Sequence, residues 1–288
     1  MEFLDVLQRS PALLMATTGL LGLCVGSLLN VVIHRLPKMM EAGWREECAA
    51  LEGREPPAKA AYNLFTPPSA CPSCATPIRA VHNIPVVSWL ALRGKCAKCA
   101  APISARYPAV EILGAAIAVL LAWRFGYSWQ LAFALVFGWA MLALAFIDFD
   151  TQLLPDDITL PILWLGLLAN AGATFIDLRS AVLGAVAGYM ILWLVYWGFR
   201  LVAKKEGMGF GDFKLLAAIG AWTGWQVIPV VIIASAGLGA VVGSLFLWLS
   251  RRGADTRIPF GPYLALAGIV GLIWGRELVV AWLGRFPA

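Results

Sequence analysis

Apolar residues in this chain come in long unbroken runs separated by short polar stretches, rather than alternating with polar positions. Eight such runs stand out, at roughly 11–33, 108–123, 129–147, 158–175, 181–199, 212–224, 227–250 and 260–283. A helix needs about 20 mostly apolar residues to cross the hydrocarbon layer. Inside that layer only a helix or a closed barrel satisfies every backbone polar group. The pattern therefore predicts an all-α polytopic membrane protein with about eight transmembrane helices, the sixth being short. One long polar segment, 35–107, interrupts the series and is rich in proline and charge. The chain thus divides into a first transmembrane helix (1–34), an insert (35–107) and a transmembrane bundle (108–288).

Composition agrees. Of 288 residues, 60% are hydrophobic and only 14% charged, with a mean hydropathy of +0.78, which is far from the balance of a soluble chain. The first apolar run is too long for a cleaved leader, and Glu2 and Asp5 precede it where a leader would be basic. Basic residues follow it instead, which predicts an N-terminus on the outer side. On that topology the inner segments are 34–107, 148–157, 200–214 and 251–259. They hold ten, none, four and three Lys or Arg, 17 of the 22 in the chain. Basic loops along an inner leaflet account for the net charge of +5 without any nucleic-acid partner.

Two acids sit where charge is hardest to accommodate. Asp148 closes the apolar run that ends Phe146-Ile147, and Asp212 follows the glycine-rich turn Gly207-Met208-Gly209-Phe210-Gly211. An ionisable residue at a membrane segment is a functional candidate by default. Span three runs inward to Asp148 and span six starts from the inner side at Asp212, so both are expected near the cytoplasmic face. Two carboxyls that approach within about 3 Å share one proton. The ionised member can then take a proton from water while its partner polarises a carbonyl, which is peptide-bond hydrolysis without a metal or a covalent intermediate. Lys214 and the positive end of span six are expected to favour the charged form of Asp212, making it the more frequent base. The bland reading is a capping or solvated acid. It is the expectation for Asp156 and Asp157, placed to cap span four, and Asp150 is read as a loop acid or a supporting partner.

The insert carries Cys71-Pro72-Ser73-Cys74 and Cys96-Ala97-Lys98-Cys99, a C-x2-C pair repeated after 21 residues. Two tight knuckles that each present two thiolates are the design of a structural zinc site. Disulfides, a redox dithiol or uncommitted thiols are the alternatives, with disulfides disfavoured in the cytoplasm. Cys24 reads as a packing residue within span one and Cys48 as incidental. Glu111 pairs with Arg106 on one reading and serves an active centre on another. His34 and His82 lack companion ligands. Gly184, Gly188, Gly237, Gly239 and Gly243 suggest close helix packing.

Taken together, Phe146-Ile147-Asp148-Phe149-Asp150 through Leu154-Pro155-Asp156 and Gly209-Phe210-Gly211-Asp212-Phe213-Lys214 resemble the paired signatures of the type IV prepilin peptidases. Gly26-Ser27-Leu28-Leu29-Asn30, continuing to Pro37, and Ile258-Pro259-Phe260-Gly261-Pro262-Tyr263 match as well, in order along nearly the whole chain. The resemblance implies a bifunctional bacterial inner-membrane enzyme with Asp148 and Asp212 as its catalytic pair. It would cleave the leader from prepilins or pseudopilins at the cytoplasmic face. It would then N-methylate the new terminus with S-adenosylmethionine as donor, whose binding residues are expected within 35–107 and the nearby span-one motif. The N-terminus would be periplasmic and the zinc insert cytoplasmic, with membrane lipid and pilin precursors as partners. A proton- or cation-coupled transporter and a zinc-bearing scaffold are the competing functions.

Overall fold

A computed structural model describes residues 2–54, 62–204, 208–250 and 259–284. Gly207 and Ile258 lie outside the described residues, as do Lys59, Lys205, Arg251, Arg252, Arg257 and Arg285. Helices account for every regular element among the described residues, apart from two isolated β-bridges. The chain divides into two units, Met1–Tyr127 and Ser128–Ala288.

The first unit is built on two long helices. A short helix α1 (Glu2–Arg9) leads through the N-cap Ser10 into α2 (Pro11–Leu51). At 41 residues, α2 is about 60 Å long, twice the thickness of the hydrocarbon layer. It continues through Pro37 well beyond the end of the predicted span, because Lys38 to Leu51 is rich in helix-forming residues. The insert follows, with a 3-10 turn at Ala80–Asn83 and the short helix α3 (Val87–Ala91). Helix α4 (Arg106–Phe125) then returns along α2. The two approach backbone to backbone: a Cβ on Gly22 would stand 2.6 Å from the carbonyl oxygen of Gly114, and one on Gly26 2.6 Å from the Cα of Glu111. Asn30 ties the same seam, its Nδ2 donating to the Tyr107 carbonyl at 3.0 Å.

Among the described residues, the second unit is a bundle of six helices: α5 (Trp129–Thr151), α6 (Asp156–Ala171), α7 (Leu178–Ala203), α8 (Phe210–Thr223), α9 (Ile228–Ser250) and α10 (Gly261–Leu283). Its centre is α8, in which every residue from Phe213 to Thr223 except Lys214 is buried. Small residues let α7 pack onto it, as expected for Gly184 and Gly188, whose added Cβ atoms would meet the Gly220 and Leu216 carbonyl oxygens at 2.3 and 2.5 Å. Gly237, by contrast, faces open space. Asn170, fully buried at the end of α6, donates to the Ala221 carbonyl at 2.9 Å and accepts from the Phe175 and Ile176 N–H groups. One amide thereby satisfies the end of α8 and the turn after α6.

Helices α2, α4, α5, α7, α9 and α10 are long and apolar enough to cross a membrane. The predicted spans 158–175 and 212–224 form helices of only 16 and 14 residues. Asp156 does not cap α6. Pro155 occupies the N-cap position, and both Asp156 and Asp157 lie in the first turn, where they still complement the helix dipole. Cys24 is exposed on the surface of α2 rather than packed inside.

Candidate active site

Three helix ends converge at one end of the second unit. Asp148 lies in the last turn of α5, Asp212 in the first turn of α8, and Gly261 opens α10. Helix α5 stops because Gln152 takes a left-handed conformation, φ 55°, with its N–H donating to the Asp148 carbonyl at 2.9 Å. This turn leaves the Asp148 side chain inside the bundle, only 6% exposed. Its Oδ2 accepts from the Gly261 N–H at 2.8 Å.

Asp212 is the third residue of α8 after the N-cap Gly209 and is 7% exposed. An acid at that position stands one turn from the N-cap, where it complements the positive end of the helix, and its own N–H donates to the Gly209 carbonyl at 3.3 Å. Gly211 is required sterically: a Cβ there would stand 2.7 Å from the Leu154 Cβ, so a larger residue would push α8 away from the segment following α5. Phe210 and Phe213 pin the same turn to α7, with ring centroids 5.3 and 5.7 Å from Tyr196. The local fold therefore brings Asp212 close enough to Asp148 for their charges to act on one another. These residues lie 64 positions apart in sequence, and each is buried at a helix end of the second unit.

Lys214 does not serve this pair. Its Nζ bonds both oxygens of Asp156, at 2.8 and 2.6 Å, and so joins α8 to the start of α6. One helical residue beyond Asp212 plus another points Lys214 to a different face of α8, which the sequence alone did not resolve. Asp150 lies on the exposed side of α5.

In the first unit the four insert cysteines come together, with all four sulfurs within 4.8 Å of one another. Cys71 and Cys99 are 3.8 Å apart, and Cys74 and Cys96 are 4.0 Å apart. Zinc–sulfur bonds of about 2.3 Å in a tetrahedron put sulfurs about 3.8 Å apart, so the donor set fits zinc. The two knuckles repeat one geometry. The Ala75 N–H donates to the Cys71 carbonyl and the Ala100 N–H to the Cys96 carbonyl, with φ 54° at Ala75 and 57° at Ala100. Bonding to Thr76, through its hydroxyl and then its backbone, lowers the Cys74 thiol to about 6, while burial and the neighbouring thiols push Cys99 up to about 11. Glu111 is 8% exposed in α4, and its Oε2 accepts from the Val86 N–H at 2.7 Å, so it anchors the insert to the helix.

Known proteins share this arrangement of sequence. Residues 20–125 match the model of the bacterial peptidase A24 N-terminal domain, and residues 135–244 match that of the type IV leader peptidase family. A prepilin leader peptidase/N-methyltransferase of Stutzerimonas stutzeri is 51% identical over 97% of this chain and 97% of its own length. Those of Pseudomonas aeruginosa (51% identical, 98% of each chain) and Legionella pneumophila (43%, covering 95% of this chain and 96% of the relative) align equally fully. This chain belongs to the type IV leader peptidase family. No solved structure gives a significant match. The family's bacterial N-terminal domain falls on the unit that holds the cysteine cluster, and the peptidase model on the unit that holds both aspartates. Membership also agrees with a multi-pass inner-membrane protein, and nothing in the comparisons supports the transporter reading.

Proposed function

We propose that this protein is a prepilin leader peptidase and N-methyltransferase of the bacterial inner membrane, with Asp148 and Asp212 as the hydrolytic pair. The observation that carries the peptidase assignment is the convergence of two buried carboxyls from α5 and α8 within electrostatic reach. With one proton between them, the ionised carboxylate draws a proton from a water as its oxygen attacks the scissile carbonyl. The protonated carboxyl donates to the carbonyl oxygen, and the proton taken from water passes to the leaving amine as the intermediate collapses. The pair titrates as a unit, so base and acid are roles rather than fixed residues. Substrates are prepilins or pseudopilins, cut where a basic leader meets an apolar helix. Near-full-length identity to curated enzymes of that name supports this substrate class.

The same relatives support the second activity. S-adenosylmethionine, when bound, supplies an electrophilic methyl group, and the acceptor is the amine freed by cleavage. Cys71, Cys74, Cys96 and Cys99 would hold a structural zinc ion that cross-links the two knuckles of the 35–107 insert. The insert has little apolar core of its own, so such a cross-link would contribute much of its stability. The charge asymmetry of the loops supports a cytoplasmic insert and a periplasmic N-terminus. Incubating the detergent-purified protein with a prepilin and labelled S-adenosylmethionine tests both reactions. A shortened, labelled product is expected, and an unshortened substrate would refute the reading.

A further inference from the structure

We propose that the backbone amide of Gly261 is the positioning group for Asp148 in the peptidase step, and that this role is why residue 261 is glycine. The inference rests on the assignment of Asp148 and Asp212 as the hydrolytic pair. Asp148 and Gly261 lie 113 residues apart, yet the Gly261 N–H points at Oδ2 of Asp148 at 2.8 Å with both groups buried. The first N–H groups of a helix have no partner inside it. At the start of α10 one of these donors is spent on the carboxyl of another helix.

The bond fixes more than a distance. An N–H donor at Oδ2 takes one of that oxygen's two lone pairs and favours the ionised form there, biasing the proton shared by the pair towards the other oxygens. It also sets the rotation of the carboxyl about its Cβ–Cγ bond, and with it the direction in which the remaining oxygen faces water and substrate. The loop is built to hold that donor. Pro262 fixes the following backbone dihedral and has no N–H of its own, and the Tyr263 and Leu264 N–H groups both return to the Phe260 carbonyl at 3.2 Å.

Steric evidence independently requires a bare α-carbon here. A Cβ on Gly261 would stand 2.7 Å from Oδ2, 2.9 Å from Cγ and 3.1 Å from Cβ of Asp148. The three nearest atoms it would meet all belong to that one side chain. Conformation does not demand the glycine, because Gly261 is not among the positive-φ positions. An alanine at 261 would therefore act by displacing the carboxyl.

The test uses the full-length protein in nanodiscs and two readouts, prepilin cleavage and methyl transfer to an already cleaved pilin. Gly261→Ala is expected to lower kcat for cleavage about 100-fold, the scale of an ångström-sized misplacement of a reacting group. KM is expected to stay within about twofold and methyl transfer to be unchanged. Replacing residue 261 by glycolic acid removes the N–H without adding bulk, and about a tenfold loss of kcat is expected. Gly237→Ala, in open space, is the control. Cleavage kcat within about threefold of the parent in both 261 variants, or a rise in KM alone, overturns the proposal. If Gly261→Ala also loses methyl transfer, the fold has failed and the glycolic acid variant decides. Asp148→Asn and Asp212→Asn are measured alongside: normal cleavage by these would refute the pair itself, a result distinct from failure of the positioning role.

Discussion

Gly184 and Gly220 touch backbone to backbone: a Cβ on Gly220 would stand 2.1 Å from the Gly184 carbonyl oxygen, and one on Gly184 2.3 Å from the Gly220 carbonyl oxygen. Neither obstacle is a flexible side chain, so neither can turn aside. Gly220→Val is expected to cost about 3 kcal/mol, the upper range for overpacking. An SDS-mediated unfolding titration of the purified protein measures it, and a loss below about 0.5 kcal/mol would show that α7 and α8 are not in contact here.

Removing either acid of the pair leaves one carboxyl unable to act as both base and acid. Asp148→Asn and Asp212→Asn are each expected to reduce prepilin cleavage at least about a thousandfold, with the double variant hardly worse than either alone, as for residues that act as a unit. Additive losses in the double variant would contradict shared chemistry.

The cysteine cluster gives a metal prediction. Purified protein is expected to carry about one zinc per chain, and Cys71→Ser or Cys96→Ser to lose it, with faster proteolysis within 62–105. Metal analysis finding less than about half an ion per chain refutes the site.

Ala75 and Ala100 each close a knuckle in the left-handed region, where a Cβ costs roughly 1–2 kcal/mol. Glycine removes that cost but loses backbone entropy, so Ala75→Gly is expected to stabilise the insert by about 0.5 kcal/mol. Slower zinc release to a chelator is the readout, and faster release would contradict it.

Glu111 accepts from Val86, a β-branched residue held at φ 59° and ψ −48°. Such a conformation persists only where surrounding contacts fix it. Glu111→Ala is expected to destabilise this anchor by about 1–3 kcal/mol. Glu111→Gln, which keeps an acceptor oxygen, should recover most of it. Hydrogen exchange across 84–93 distinguishes the two, and equal protection in both variants refutes the anchor.

The helices were legible because long apolar runs leave the backbone few alternatives. The boundaries were less so, as α2 shows: the end of apolarity at Ile33 is not the end of the helix, which the following polar residues propagate to Leu51. Asp148 and Asp212 were visible as charges at the ends of such runs. What they touch was not, because the Gly261 N–H is a backbone group that no side-chain pattern encodes. Lys214 lies two residues from Asp212 in sequence, whereas helical geometry directs it to Asp156. Asn170, which ties the α8 carbonyls of Ala221 and Trp222 to the Phe175 and Ile176 N–H groups after α6, carries no signature beyond being polar in an apolar stretch.

One property of α2 has practical value. Cys24 and Cys48 are both exposed on the same continuous helix, 24 residues and therefore about 36 Å apart along its axis. One thiol falls within the apolar run and the other on the polar extension, so the chain carries a native ruler along the axis of α2. A lipid-soluble quencher would darken a dye on Cys24 and spare one on Cys48, reporting immersion depth without any engineered label site.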